Sequence, residues 1–243
     1  MSAYIPLAWR CLDVCSATWP AAQTWSEHPL TLRDGAGGGK RVSAATLEPG
    51  WSARHIDGAE ADMQARGMAP LFMVRPEQPE LDEALTARGY DLLDPTGVLV
   101  RSLSRLAARP VERLSTFAVW PPLEIMADLW AQGGVGPDRL AVMSRAKGPA
   151  TGILARTDDR PSGVAFAAIH QSVAMVHALE VRPEFRRRKV AVNIMRAAAC
   201  WAQDHGAREM AVLCVRHNSA ANALYSYLGF NRVGSYHYRQ LKP

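Results

Sequence analysis

Val181-Arg182-Pro183-Glu184-Phe185-Arg186-Arg187-Arg188-Lys189-Val190-Ala191 is the stretch on which the reading of this 243-residue chain turns. Pro183 ends a strand that reaches Val181, and an apolar repeat of helical period starts at Val190. Such a junction leaves the first backbone N–H groups of the helix without partners, all aimed at one point. Arg186, Arg187, Arg188 and Lys189 surround that point with positive charge. The spacing suits a pyrophosphate receptor, and an exposed basic turn without a ligand is the competing reading.

Working outward, Asn218-x-x-Ala221-x-x-Leu224-Tyr225-x-x-Leu228-Gly229-Phe230 follows about thirty residues later. On a helix, Asn218, Ala221 and Tyr225 share one face by the i, i+3, i+7 rule. Ala221 leaves room beside the helix and Tyr225 supplies a phenol, while Leu224, Leu228 and Phe230 read as core. Between the two segments, Val190 to Asp204 reads as a helix burying Val190, Ile194, Ala197, Ala198 and Trp201, with Gly206 just past its end. Met210 to Val215 reads as a short buried strand, and Phe230 to Leu241 as a final one. Upstream, Pro121-Pro122 opens a helix with Leu123, Met126, Leu129 and Trp130 on one face, and Pro137-Asp138 opens another. Strands are expected at about 150–156, 163–169 and 173–181. The expected order is ααβββαβαβ, a mixed α/β chain.

Hydrophobic residues make up 48% and charged residues 21% of the chain, and the formal charge is +5. That composition is ordinary for a globular protein. The longest apolar stretch, 163–181, is broken by His170-Gln171-Ser172, so no membrane span is expected. The N-terminal residues lack a basic start followed by a long apolar region, which argues against a secretory leader. Cys11 and Cys15 have no second ligand pair at zinc spacing, so no metal is expected. Four reduced thiols fit a cytoplasmic protein.

Together the two motifs resemble the GNAT superfamily of N-acyltransferases. Its pyrophosphate loop, Val-x-Pro-x-x-Arg/Gln-x-x-Gly-x-Gly/Ala, is matched by Val181, Pro183, Arg186 and Ala191. Its later helix, Asn-x-x-Ala-x-x-Leu-Tyr-x-x-x-Gly-Phe, is matched throughout. The resemblance implies a GNAT-like acyl-coenzyme A fold and acetyl transfer from acetyl-coenzyme A to the amine of a small molecule or peptide. It implies that Leu179, Glu180 and Val181 pair through their backbones with the pantetheine arm, that Asn218 and Ala221 flank that arm, and that the loop 186–191, Val190 included, takes the pyrophosphate. Tyr225 would protonate the departing thiolate. His177, nine residues before Arg186, is the candidate base; a half-buried strand histidine bonded to a neighbour is the alternative. By strand alternation, Glu180 points to the opposite face from His177. Lys189 stands where the family has glycine, so ordinary φ is expected there, with the ammonium free to pair with a phosphate. An acyl-coenzyme A sensor without turnover is the second reading. Nucleic-acid binding ranks last, since no aromatic residues interleave with the basic cluster.

The first half reads as a degenerate, non-catalytic copy. Residues 73–90, MVRPEQPELDEALTARGY, echo residues 214–230, CVRHNSAANALYSYLGF, in strand, Val-Arg, turn, helix and Gly-aromatic. Leu85 falls where Tyr225 falls, and no basic loop precedes the helix expected near Ile56 to Arg66. Gly35 to Lys40 does not meet the phosphate-binding Gly-x4-Gly-Lys-Ser/Thr pattern and reads as a hairpin turn between Leu30–Arg33 and Arg41–Leu47. The polar stretch 105–113 suggests domains at 1–108 and 109–243.

Overall fold

The computed structural model describes residues 7–108, 111 and 114–241. The expected boundary falls largely on residues 109, 110, 112 and 113, which lie outside the described residues. The first half runs α1 (Leu7–Thr18), β1 (Gln23–Glu27), β2 (Leu30–Asp34), α2 (Lys40–Ser43), β3 (Thr46–Leu47), α3 (Ala53–Ala65), β4 (Leu71–Val74), α4 (Pro79–Ala87), β5 (Tyr90–Ser102) and α5 (Leu103–Ala107). The second half runs β6 (Thr116–Val119), α6 (Glu124–Gln132), α7 (Pro137–Ser144), β7 (Ala150–Thr157), β8 (Arg160–His170), β9 (Val173–Val181), α8 (Val190–Asp204), β10 (Glu209–Val215), α9 (Ser219–Tyr227) and β11 (Asn231–Leu241). The elements expected from 121 onward are all present, and β6 adds a strand ahead of them. The segment 40–47 departs from expectation: Lys40–Ser43 forms one helical turn, and only Thr46–Leu47 is extended.

The strands form an eight-stranded mixed sheet, β4-β11-β5-β10-β9-β8-β7-β6, and a three-stranded sheet, β1-β2-β3. A parallel bridge between Ala45 and Phe72 links the small sheet to β4. The two halves exchange their last strands. β5 lies antiparallel to β10, β11 lies antiparallel to β4, and β5 and β11 pair with each other. Next to the β5–β11 seam the arrangement is matched, with each half's last strand flanked by a strand of the other half, β4 beside β11 and β10 beside β5.

Burial follows the periodicities. On one sheet face, α8 and α9 cover a core including Ile194, Met195, Ala198, Val212 and Leu228. On the other, α1 and α6 cover Val164, Phe166 and Met175 with Val14 and Trp130. Fully burying a side chain such as Ile194 or Met195 contributes about 1.5–3 kcal/mol. A third cluster, around Ile56, Phe72, Leu81 and Leu85, holds α3 and α4 to the first half's strands.

One irregularity shapes the centre of the molecule. On β8 and β9, Phe166 opposes His177 whereas Val164 opposes Glu180, so β9 carries an extra residue there. Ala178 takes it up with φ +48°. Such a bulge resets the alternation of side chains. His177 and Glu180 consequently face the same side, which corrects the expectation from plain alternation.

Candidate active site

β9 and β10 run parallel and pair only at Val173–Met175 with Glu209–Ala211, after which they separate. Their divergence opens a cavity of about 410 Å³. His177, Leu179, Glu180, Asn218, Ala221 and Tyr225 all line it. The sequence-expected residues of strand and helix thus meet in one place. The backbone edge of Leu179 to Val181 that faces β10 has no ladder partner on that strand, so its amide groups remain available to an extended ligand.

Asn218 caps α9: its side-chain oxygen accepts from the Ala221 N–H at 3.0 Å. That bond holds the side chain in place and leaves the Asn218 amide nitrogen to donate to a ligand. Tyr225 is buried, with its ring edge-on to Phe230 at 5.6 Å. Burial pushes its phenol well above the usual value, and Cys214 adds to the rise. The hydroxyl is thus protonated at neutral pH and can donate a proton to an anion formed beside it.

The basic loop lies at the N-terminus of α8, a fifteen-residue helix, with Arg186 to Lys189 exposed. Lys189 adopts φ +62° and Arg187 φ +63°. The loop keeps the left-handed turn that glycine would favour, although lysine occupies the position; this corrects the expectation of ordinary φ. Arg186 donates to the Val181 carbonyl at 3.3 Å. Arg188 is held by Asp158 at 2.8 Å and lies over the Phe185 ring. Among the described residues it is the one of the four cations that pairs with a carboxylate. Val190 is buried at the start of α8, and Ala191 follows it on the helix.

His177 has surroundings unlike those of a base near its ordinary pKa. It stacks on Trp19 at 4.9 Å, and its Nε2 lies 2.9 Å from the Thr18 hydroxyl. That hydroxyl spends its single proton on the Val14 carbonyl, at 2.8 Å, so Nε2 must be the N–H donor. The remaining lone pair, on Nδ1, faces the Arg41 guanidinium at 3.4 Å. Burial, followed by the Arg41 charge, holds the imidazole well below its ordinary pKa. Both ring nitrogens are thus occupied and the ring stays neutral. These surroundings are those of a strand histidine bonded to its neighbours.

Glu180 stands apart. Its side chain rests against Gly133, where an added Cβ would meet the Glu180 Cγ at 2.5 Å. Glycine at the end of α6 is what makes room for it. Burial raises the Glu180 carboxyl, with Arg186 and Arg139 opposing the rise. Glu180 and Tyr225 line the same cavity.

The first half supplies residues that the sequence did not single out. Trp19, Lys40, Arg41 and Asp94 line the same cavity, and Lys40 pairs with Asp94 at 3.2 Å. Gly38 lets the loop 35–39 approach α7, since a Cβ there would meet the Val142 side chain at 2.5 Å. That approach delivers Arg41 to the cavity. Nothing in the local pattern of 35–41 marks this role, because it depends on packing across the two halves. Among the described residues no three His, Cys, Asp or Glu side chains gather at metal-binding distance, and no helix is long and apolar enough to cross a membrane.

Comparisons with known proteins agree with this geometry. Residues 120–230 match the family described as acetyltransferase (GNAT) family. The chain is 22% identical over 240 residues to an uncharacterised N-acetyltransferase, YobR, of Bacillus subtilis (strain 168), covering 93% of this chain and 95% of that one. Its fold is similar to a GCN5-related N-acetyltransferase from Kribbella flavida, with a TM-score of 0.76 at 15% identity over 99% of this chain and 97% of the other. It also resembles a tandem GNAT protein from the clavulanic acid biosynthesis pathway, with a TM-score of 0.59 at 16% identity over 88% and 78% of the two chains. Residues 120–230, with the site between β9 and β10 at their centre, are thus the part of the chain similar to the acetyltransferase (GNAT) family.

Proposed function

We propose that the protein transfers acetyl from acetyl-coenzyme A to a primary amine by direct attack of the amine on the thioester. The observation that carries this reading is the meeting of the open β9 edge and the α9 face around one cavity, with the basic loop that leads into α8 following directly from the end of β9. Pantetheine would lie along Leu179 to Val181 as a short added strand, with the Asn218 amide and Ala221 flanking it. The pyrophosphate would sit at the start of α8, facing Arg186, Arg187 and Lys189. Arg188 would contribute less, because Asp158 already holds it.

Glu180, rather than His177, is the base in this reading. The attacking nitrogen forms its bond to the thioester carbon, the C–S bond breaks, and Tyr225 gives its proton to the leaving thiolate. Glu180 takes the proton from the amine. No enzyme nucleophile takes part; Cys214 is buried, and burial raises its thiol above the ordinary range. The first half is read as a degenerate copy that binds no cofactor of its own.

Calorimetric titration of acetyl-coenzyme A and thiol release with a panel of amines test the proposal together. One cofactor site per chain and turnover with an amine are expected. Binding without turnover on any amine would favour the acyl-coenzyme A sensor, and two equivalent sites would overturn the assignment of a degenerate half.

A further inference from the structure

A second cavity, of about 300 Å³, lies between α1, β3 and β4, and it adjoins the first through Arg41, Leu213 and Tyr236, which line both. Three guanidinium groups reach it: Arg33, Arg41 and Arg75. Two carboxylates reach it as well, Glu48 and Asp13. Glu48 is taken by Arg75, which holds both its oxygens at 2.8 and 3.1 Å. Among the described residues, neither Arg33 nor Arg41 forms an ion pair with any carboxylate.

Both of these arginines are half-buried. Arg33 donates to the Ala44 carbonyl at 2.8 Å and to the Thr46 hydroxyl at 3.2 Å, and burial lowers its pKa. Arg41 is surrounded by Cys15, Tyr236, Tyr238 and His177. Taking an unpaired guanidinium out of water costs several kcal/mol, a cost that proteins usually offset with a partner anion. Here the hydrogen-bond partners are neutral carbonyl, hydroxyl and imidazole groups, and Glu48, the carboxylate that acts on Arg33, is already held by Arg75. Three guanidiniums against two carboxylates leave one positive charge, which suits a monoanion and disfavours a dianion such as phosphate.

The position of this cavity is equally informative. It opens where β3 and β4, bridged in parallel at Ala45 and Phe72, diverge, just as the first cavity opens where β9 and β10 diverge. In the second half that cleft is free for the pantetheine arm. In the first half the Arg75–Glu48 pair spans it, and Arg75 stacks on Trp9 at 4.1 Å. What remains is a smaller chamber with cationic walls, in contact with the reaction chamber at Arg41.

We propose that this chamber holds the carboxylate of the acceptor, so that the substrate is an amine bearing a carboxylate, of the amino-acid class. Arg33 and Arg41 bind the carboxylate, and the amine passes Arg41 toward Glu180 and Tyr225. The assignment rests on the acetyl-transfer reading above. Arg33 is a specificity residue, since it lines only the second cavity.

The test is thiol release from acetyl-coenzyme A by the full chain with matched acceptors. Each set shares one amine and differs in the acid group: an α- or ω-amino acid, its amide, and the decarboxylated amine. The acids should exceed their amides in kcat/KM by on the order of 10- to 100-fold, as expected for losing a charge-assisted hydrogen-bonded pair. Arg33→Gln should bring that ratio toward one and Arg33→Lys should leave it intermediate; the wild-type ratio decides the matter even if Arg33→Gln does not fold. Equal rates on acid and amide, or a preference for the decarboxylated amine, would overturn the proposal. So would turnover only with amines lacking a carboxylate, an outcome that leaves acetyl transfer itself standing. Failure to bind acetyl-coenzyme A would instead sink the acetyl-transfer reading.

Discussion

The segments β4-α4-β5 and β10-α9-β11 are built to one plan and do different work. Both helices have nine residues, and both end at a glycine in the left-handed region, Gly89 at φ +84° and Gly229 at φ +74°. Both continue into a long strand that pairs with the other half. At the matched helix position, Leu85 is sealed in a core with Phe72 and Leu81, whereas Tyr225 faces the cavity. The clefts differ likewise, one spanned by Arg75 and Glu48, the other open. Duplicated architecture is thus kept by the packing of strands and helix ends. Chemistry is kept or lost at single positions, which can change without disturbing that packing.

The comparison breaks most easily at the matched pair. Tyr225→Phe keeps the ring against Phe230 and removes only the hydroxyl. It should lower kcat about 10²-fold, the usual contribution of a positioned acid, with little change in the Kd of acetyl-coenzyme A. Leu85→Ala should do the reverse. It should cost about 2–5 kcal/mol in stability, read by denaturant unfolding, because it empties a fully buried site. Its effect on kcat should be small wherever the protein is folded. A Tyr225→Phe enzyme with full activity would remove the proposed acid.

Glu180 and His177 sharpen the contrast between the proposed base and a satisfied group on one strand. The wild-type kcat/KM should rise on the acid side as the Glu180 carboxyl ionises, at a pH displaced upward from an ordinary glutamate because burial raises it. Glu180→Gln should abolish that limb and lower the rate about 10²-fold in its plateau. The deficit should shrink at high pH, where more free amine exists. His177→Gln should leave the limb in place and lower thermal stability, since it disturbs the Thr18 bond and the Trp19 stack. A limb that vanishes with His177 and survives loss of Glu180 would reverse the assignment.

Most of the second half was legible in the sequence because its signals are local. The proline stop at 183, the period of 190–204 and the Asn218 cap each act within a few residues. The strand exchange was not legible, because pairing across the β5–β11 seam depends on contacts over a hundred residues apart. The role of Arg41 was hidden for the same reason, and the segment around it, read as a strand, forms a helical turn. The bulge at Ala178 misdirected the reading of Glu180. A residue with φ +48° inside a strand leaves no mark in an alternating apolar pattern.

Smaller effects are expected in the loop that only the second half possesses. Arg186→Glu should weaken coenzyme A more than a shortened pantetheine analogue, by roughly 10-fold for loss of a charged contact of about 1.4 kcal/mol. Arg188→Glu should weaken it less, since Arg188 is already paired with Asp158. Equal loss for both ligands would indicate misfolding instead of a lost phosphate contact.

The smallest effect, and the one that separates conformation from charge, is at Lys189. A non-glycine residue in the left-handed region costs about 1–2 kcal/mol, and Lys189 sits there at φ +62°. Lys189→Gly relieves that cost but adds about 0.5–1 kcal/mol of unfolded-chain entropy, so the net stabilisation should be about 0.5–1 kcal/mol. For a chain of this size the midpoint of melting should rise by roughly 1–4 °C. The same substitution removes one cation from the start of α8, so the Kd of coenzyme A should increase a few-fold and depend less on salt. The two readouts move in opposite senses only if lysine is retained for its charge at the expense of backbone strain. A tighter Kd on substitution would mean that the lysine side chain obstructs the loop. A melting temperature lowered by a few degrees would mean that the left-handed turn carries no strain, and the loop would then owe its shape to the packing of Phe185 and Val190.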